Sequence, residues 1–417
     1  MTRQPTLRVR VALALVALAL PWSCAGRVPP LDAIAEGYVR VALELAQHDP
    51  ELVEDWRGPE SWRPGPRVPV AGLLKKIEAL QANVHGAPPA SASRDDAERH
   101  RYLAAQLRAL HFAAERQLGR PAGIDDQLRE EFGVEPEPFD AARMERVRAE
   151  IARVLPGTSP LAERVAALRR RTSVPADRRV TVVEQAIAAC RRATAAVIRL
   201  PPDEGVRVQL EPGLVWDGFT RYQGRHRSEL QINDEALLDV ARALRLACHE
   251  GYPGHHVQQV LIDVTFTNRQ REELQLVPAF GPHLLFAEGA AEVGADLALP
   301  EDQRVSLYRD VLFPAAGANA ADVPALVRVE TLLADLLPEV TDVARQYLDS
   351  AITQERALDR LAHDALVGNP DGTLAFIERR RARALVYGEG RRAVLAMMQE
   401  YSLAGLYAVF AGPHAVQ

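Results

Sequence analysis

The sequence predicts a mainly α-helical protein, with a small β element just before its most chemically loaded segment. Three observations carry this reading. Ala, Leu, Arg and Glu dominate the 417 residues while aromatics supply only 6 %, a balance that favours helix over sheet. Apolar residues recur at helical spacing along most of the chain. Alternation takes over only in residues 205–233, where Val, Trp, Phe, Tyr and Ile mix with Gly and charges in the manner of two or three short strands.

Residues 1–24 read as an export signal. Arg3, Arg8 and Arg10 precede the run "VALALVALALPWSCAG", a basic segment followed by a short apolar stretch and small residues. The run is too short to span a bilayer. Cys24 suits lipidation, which would attach the protein to a membrane, but Pro21 and Trp22 fall in the box before it. A lipoprotein and a plainly secreted protein both remain open. Either way the protein is expected outside the cytoplasm, as a periplasmic or membrane-anchored species. Removing the leader takes away three arginines and makes a chain of formal charge −6 more acidic still. No basic run is left, which excludes a nucleic-acid footprint. Cys190 and Cys248 then remain as thiols, too few for a disulfide framework. Cys248 reads as a small core residue, with thiol ligation left open.

Residues 25–417 read as one mainly helical domain whose site-bearing core spans about 205–400. After a short tether, "LDAIAEGYVRVALELAQH" and "VAGLLKKIEALQANVHG" have helical periodicity. The next helix opens at Ser93 with Asp95, Asp96 and Glu98 in its first turn and closes on basic residues, matching the helix dipole. Helices are expected at about 138–154, 159–171 and 176–199, separated by Pro- and Gly-containing breaks. Helix returns after the strands with "DEALLDVARALRLACHE" and dominates to the C-terminus.

The stretch "CHEGYPGHHVQQ", residues 248–259, places His249, His255 and His256 together. Two histidines share one metal on a regular helix when they are four residues apart. His249 and His256 are seven apart, about 10 Å along the axis, and His255 points elsewhere. Pro253 changes this, because it has no N–H for the carbonyl of residue 249 and its ring collides with that carbonyl. The helix must break or bulge there, with Gly251 and Gly254 easing the distortion. Extruding two residues drops His255 into the place of a second ligand, so that H-E-G-Y-P-G-H becomes an H-E-x-x-H zinc signature with an insertion. Glu250 then stands as general base. His256 is left to orient a ligand, to steady an oxyanion or to replace His255 on the metal. A third ligand is expected from "LLFAEGAAEVGADLAL", where acids in an apolar helix are costly unless paired. Glu288 as ligand with Glu292 behind it is the first choice; Glu292 as ligand backed by Asp296 is the alternative.

"HEGYPGHHVQ" followed by "EGAAEVGADLA" resembles the bacterial family called domain of unknown function 885, whose members carry H-E-x-x-P-G-H-H and then E-G-W-A. The family looks related to the gluzincin metallopeptidases. The resemblance implies a site of His249, Glu250, His255 or His256, and Glu288, a Zn2+ cofactor and a peptide substrate. Ala290 stands in place of the family tryptophan and Val293 in place of a tyrosine, while "ARALVYGEG" keeps Tyr387 and Gly390 without the preceding Pro-Gly-Gln.

Around this centre, Tyr387 is a candidate oxyanion donor. Arg221, Tyr222, Arg225, His226 and Arg227 lie on the strands before the histidines and are candidates for holding a substrate carboxylate at the edge of a cleft. The expectation is an exported zinc hydrolase of peptide bonds. The rivals are a non-catalytic helical binding lipoprotein with a vestigial metal pocket, and a zinc hydrolase of another amide bond.

Overall fold

The computed structural model describes residues 30–86, 88, 92–214, 217–266, 271–398 and 402–406. The leader, Cys24 and the start of the tether lie outside the described residues. The architecture is mainly α, with two small sheets.

Most predicted helices form close to their expected bounds, but the one expected from Asp234 starts only at Val240, where Asp239 caps it. Helices span Leu31–Ala46, Val70–Asn83, Arg94–Gln117, Ala141–Val154, Leu161–Arg171 and Arg179–Ala195. Ser93 caps its helix by accepting from the Asp96 N–H at 3.1 Å, satisfying a donor that the first turn leaves orphaned. The alternating stretch yields three strands. With Val53–Trp56 as β1, these are β2 (Gly205–Glu211), β3 (Gly218–Tyr222) and β4 (Arg227–Asn233), followed later by β5 (Leu276–Pro278). The three-stranded sheet has the order β2–β4–β3, with β2 parallel and β3 antiparallel to β4.

The second sheet, β1 against β5, has no counterpart in the sequence reading. It is antiparallel, and its register shifts between Val53 and Asp55, so that Glu54 is the extra residue of a bulge.

The helix Gly281–Ala298 organises the rest. Its buried residues cover every face, and only His283, Glu288, Glu292 and Asp296 are less than fully buried. Leu284 and Leu285 enter one apolar cluster, with Val343, Leu361 and Val386. Phe286, Ala290 and Val293 enter another, with Tyr252, Val257 and Leu244. Phe280, just before the helix, enters a third, with Tyr38 and Leu107. A helix apolar all round belongs in the interior, so its acids must either be paired or look into a water-filled cleft. Among the described residues, no helix is long and apolar enough to cross a membrane.

Candidate metal centre

The helix starting at Val240 runs regularly to Leu246, then widens into a π turn over Ala247–Gly251. The Tyr252 N–H reaches back to the Ala247 carbonyl at 3.2 Å, and the Gly254 N–H to the Cys248 carbonyl at 3.0 Å. Tyr252 is extended, the Tyr252–Pro253 bond is cis, and a second helix starts at His255 and runs to Leu261. The break that Pro253 demands is therefore a complete one, spanning Tyr252–Gly254. Gly254 is required at this point, since a methyl there would overlap the His249 carbonyl. Gly251 has open space around it and carries no such requirement.

The break turns His255 back toward His249. Their rings lie 4.8 Å apart, nearly perpendicular. Glu288 Oε2 lies 3.3 Å from His249 Nε2 and 3.5 Å from His255 Nε2, and one donor atom from each of the three residues lies within 4.8 Å of the others. Donors at about 2.1 Å from a tetrahedral ion are about 3.4 Å from one another, close to both Glu288 separations. Glu288 Oε2 is buried without a hydrogen-bond partner, although such an atom normally has one. The three donors and this orphaned oxygen fit a divalent cation.

Glu292 takes the other face of His249, with Oε1 at 3.2 Å from Nδ1. That is the place of a carboxylate that orients a ligating imidazole rather than of a ligand. The alternative with Glu292 as ligand and Asp296 behind it is corrected on this point. Asp296 instead meets Arg304 at 3.0 Å, Arg391 at 3.3 Å and Arg245 at 3.4 Å.

Burial opposes a charged His249, but Glu288 and Glu292 outweigh it and raise the imidazole well above its ordinary range. His255 is raised in the same way, with Glu288 overcoming burial. Burial would raise Glu288, yet His255 and His249 hold it far below the carboxylate range. A field that draws protons onto the imidazoles also draws a cation into the space between them.

His256 does not join the cluster. It is fully buried, with Nδ1 2.7 Å from Ser228 Oγ and Nε2 3.0 Å from Glu204 Oε2. Both nitrogens are engaged away from His249, which removes His256 as ligand or oxyanion donor. Glu204 also accepts hydrogen bonds from Tyr252 and from Arg191, the latter at 2.6 Å. These contacts clamp both sides of the helix break to the sheet and to the helix Arg179–Ala195.

Cys248 requires a second correction. It forms a disulfide with Cys190, fastening the turn beside His249 to that same helix and leaving no thiol to bind metal. The strand residues depart as well. Tyr222 is buried, donates to the Asp263 carboxylate and accepts from the His226 N–H at 3.1 Å. His226 pairs with Asp203 at 3.2 Å. Arg221 is exposed across from Glu229, and Arg225 is exposed in the β3–β4 turn with positive φ. Among the described residues, none of these four makes a hydrogen bond or ion pair with the cluster. The sheet instead meets it through Thr220, which donates to the Glu250 carbonyl at 2.8 Å.

Tyr387 does reach the site, its ring stacked on His249 at 6.2 Å and 23°. Gly289 and Gly390 permit this, because a methyl on either would collide with the backbone of the opposing helix. Burial raises the phenol well above its usual range, and Glu288, Glu54, Glu250 and Glu292 add to it. Glu250 is buried and bears electrostatically on His249, His255 and Tyr387. Sequence reasoning missed two further neighbours, Glu54 on β1 and His283. The His255 charge acts on both of them. Burial together with His255 lowers His283 to about 4.

No family model matches the chain, and no curated protein matches it. Two solved structures are similar to it. One is described as a "putative lipoprotein from Colwellia psychrerythraea", at 18 % identity over 85 % of this chain and 69 % of that one, with a TM-score of 0.48. The other is described as a "putative lipoprotein of unknown function from Shewanella oneidensis", at 12 % identity over 82 % of this chain and 71 % of that one, with a TM-score of 0.43. Likeness at this level carries no argument about what this chain does.

Proposed function

We propose that the protein is an exported zinc-dependent hydrolase of peptide bonds, as its resemblance to gluzincin-like proteins suggested. The observation that carries this reading is the convergence of His249, His255 and Glu288 around the buried, unpartnered Glu288 Oε2. Two histidines and a glutamate form a catalytic zinc donor set that leaves a coordination place open. Export is supported by the leader pattern and by the disulfide, a bond that persists in oxidising compartments.

A zinc ion held by these residues would polarise the scissile carbonyl and acidify the attacking water. Glu250 accepts the proton from that water and passes it to the departing amine. Tyr387 keeps its proton at physiological pH, because burial and four nearby carboxylates disfavour the phenolate. It therefore donates a hydrogen bond to the developing oxyanion. Glu292 fixes the orientation of His249 through Nδ1.

A second reading, a non-catalytic binding protein with a vestigial pocket, takes its support from Ala290 and Val293. Both are buried in the core, 1 % and 0 % exposed, so their departure from the family pattern alters packing and leaves the donor groups in place. A peptide-library assay on zinc-loaded protein separates the two readings. The hydrolase reading expects cleavage that falls about a thousandfold in Glu250→Gln at unchanged zinc content. Bound zinc without turnover in the parent protein favours the binding protein.

A further inference from the structure

The strand β1 is tied at both ends to segments that carry residues of the metal centre. At its start, Glu51 is bound by the Arg379 side chain, and its carbonyl accepts from Arg383 at 3.1 Å; both arginines precede Tyr387 by a few residues. At its far end, Arg57 donates to Gln259, one turn beyond His255 on the same helix, and lies over the Tyr222 ring at 4.7 Å. Glu54 sits midway between these ties, on the bulge opposite β5. Bulges of this kind re-aim a side chain and are enriched beside active sites.

The Glu54 side chain has solvent exposure, while burial about its carboxyl and the nearby Glu288 and Glu250 raise it above the ordinary carboxylate range against the pull of Arg380 and His255. A group that water reaches and that lies within electrostatic reach of those residues stands on the solvent side of the centre. Among the described residues it makes no hydrogen bond or ion pair, whereas its neighbours Glu51 and Asp55 are both paired with arginines.

Building on the hydrolase reading, we propose that Glu54 is a substrate anchor that binds a cationic group, the α-ammonium of a peptide or a basic side chain, and holds it beside the metal centre. A charge-assisted hydrogen bond of this kind changes affinity by roughly ten- to a hundredfold.

The test uses the zinc-loaded full-length protein and its Glu54→Gln variant. Zinc is measured in both, and calorimetry follows three probes: phenylalanine hydroxamate, its N-acetyl form and Nα-acetyl-lysine hydroxamate. The expected result is that at least one cationic probe binds roughly ten- to a hundredfold tighter than neutral N-acetyl-phenylalanine hydroxamate. Glu54→Gln should abolish that preference with zinc content unchanged. Preference for phenylalanine hydroxamate identifies the α-ammonium as the partner; preference for the lysine probe identifies a basic side chain. Zinc bound with no preference, with no binding of any probe, or with a preference that survives in Glu54→Gln overturns the anchor and leaves the metal centre standing. Absence of zinc from both proteins overturns the hydrolase reading, and the anchor falls with it.

Discussion

Replacing Cys190 and Cys248 together by Ala removes the cross-link that holds the turn beside His249. The two residues are 58 apart in sequence, and closing a loop of that size in the unfolded chain is worth about 4 kcal/mol in the chain-entropy account. Both cysteines are fully buried, so losing the two sulfurs adds a packing cost of the same sign. Against a typical total of about 5–15 kcal/mol, the variant should be markedly weakened but still folded. With a urea slope near 3 kcal/mol per molar, its unfolding midpoint should fall by about 1 M. Zinc affinity should fall with it, because His249 follows Cys248 directly; a ten- to hundredfold loss is the scale expected when ligand support is removed. Urea titrations followed by circular dichroism, with and without reductant, read the first effect, and a competing chelator reads the second. Coincident unfolding curves, or two titratable thiols in the native parent protein, would refute the reasoning.

Gly254→Ala places a methyl into the His249 carbonyl and should cost about 3 kcal/mol or more, read as a lowered denaturation midpoint and weaker zinc binding; an unchanged midpoint contradicts the tight break. Burial would raise Glu204, but His256, Tyr252 and Arg191 hold it at about 2. A depressed carboxyl stabilises the fold above its unfolded value and loses that contribution as pH falls from about 4.5 toward 2, here about 3 kcal/mol. Stability measured across that window should fall steeply in the parent protein and be flatter in Glu204→Gln; equal slopes contradict the role assigned to Glu204. Tyr387→Phe should lower kcat by about a hundredfold at unchanged zinc content, and unaltered kcat in steady-state assays excludes the phenol as oxyanion donor.

Much of this was written locally in the chain. Helix periodicity, the Ser93 cap and the alternating stretch depend on neighbours a few residues apart, and they placed the elements close to where they lie. The break at Pro253 was legible because proline removes a specific hydrogen bond wherever it stands in a helix. That constraint, with His255 two residues late and an acid in an apolar helix, was enough to point to His249, His255 and Glu288.

The residues misread or missed were those whose surroundings come from far along the chain. His256 looks like a ligand beside His255, and only the packing of β4 and the Glu204 segment against its helix shows both nitrogens occupied. Cys190 and Cys248 pair because two helices are adjacent, which no spacing of two cysteines announces. Tyr222 and His226 have the chemistry of substrate contacts, yet Asp263 and Asp203 claim them. Glu54 stands in an ordinary acidic stretch and gains its setting only through a three-residue pairing with β5.

The central claim is that His249, His255 and Glu288 share one divalent ion. Elemental analysis and chelator competition on unchelated protein, compared with Glu288→Ala and His249→Ala, test it most directly. The account predicts about one zinc per chain in the parent protein and loss of stoichiometric zinc in each variant, with the fold retained by circular dichroism. A parent protein that takes up no zinc, or a Glu288→Ala variant that binds it as tightly, would contradict it.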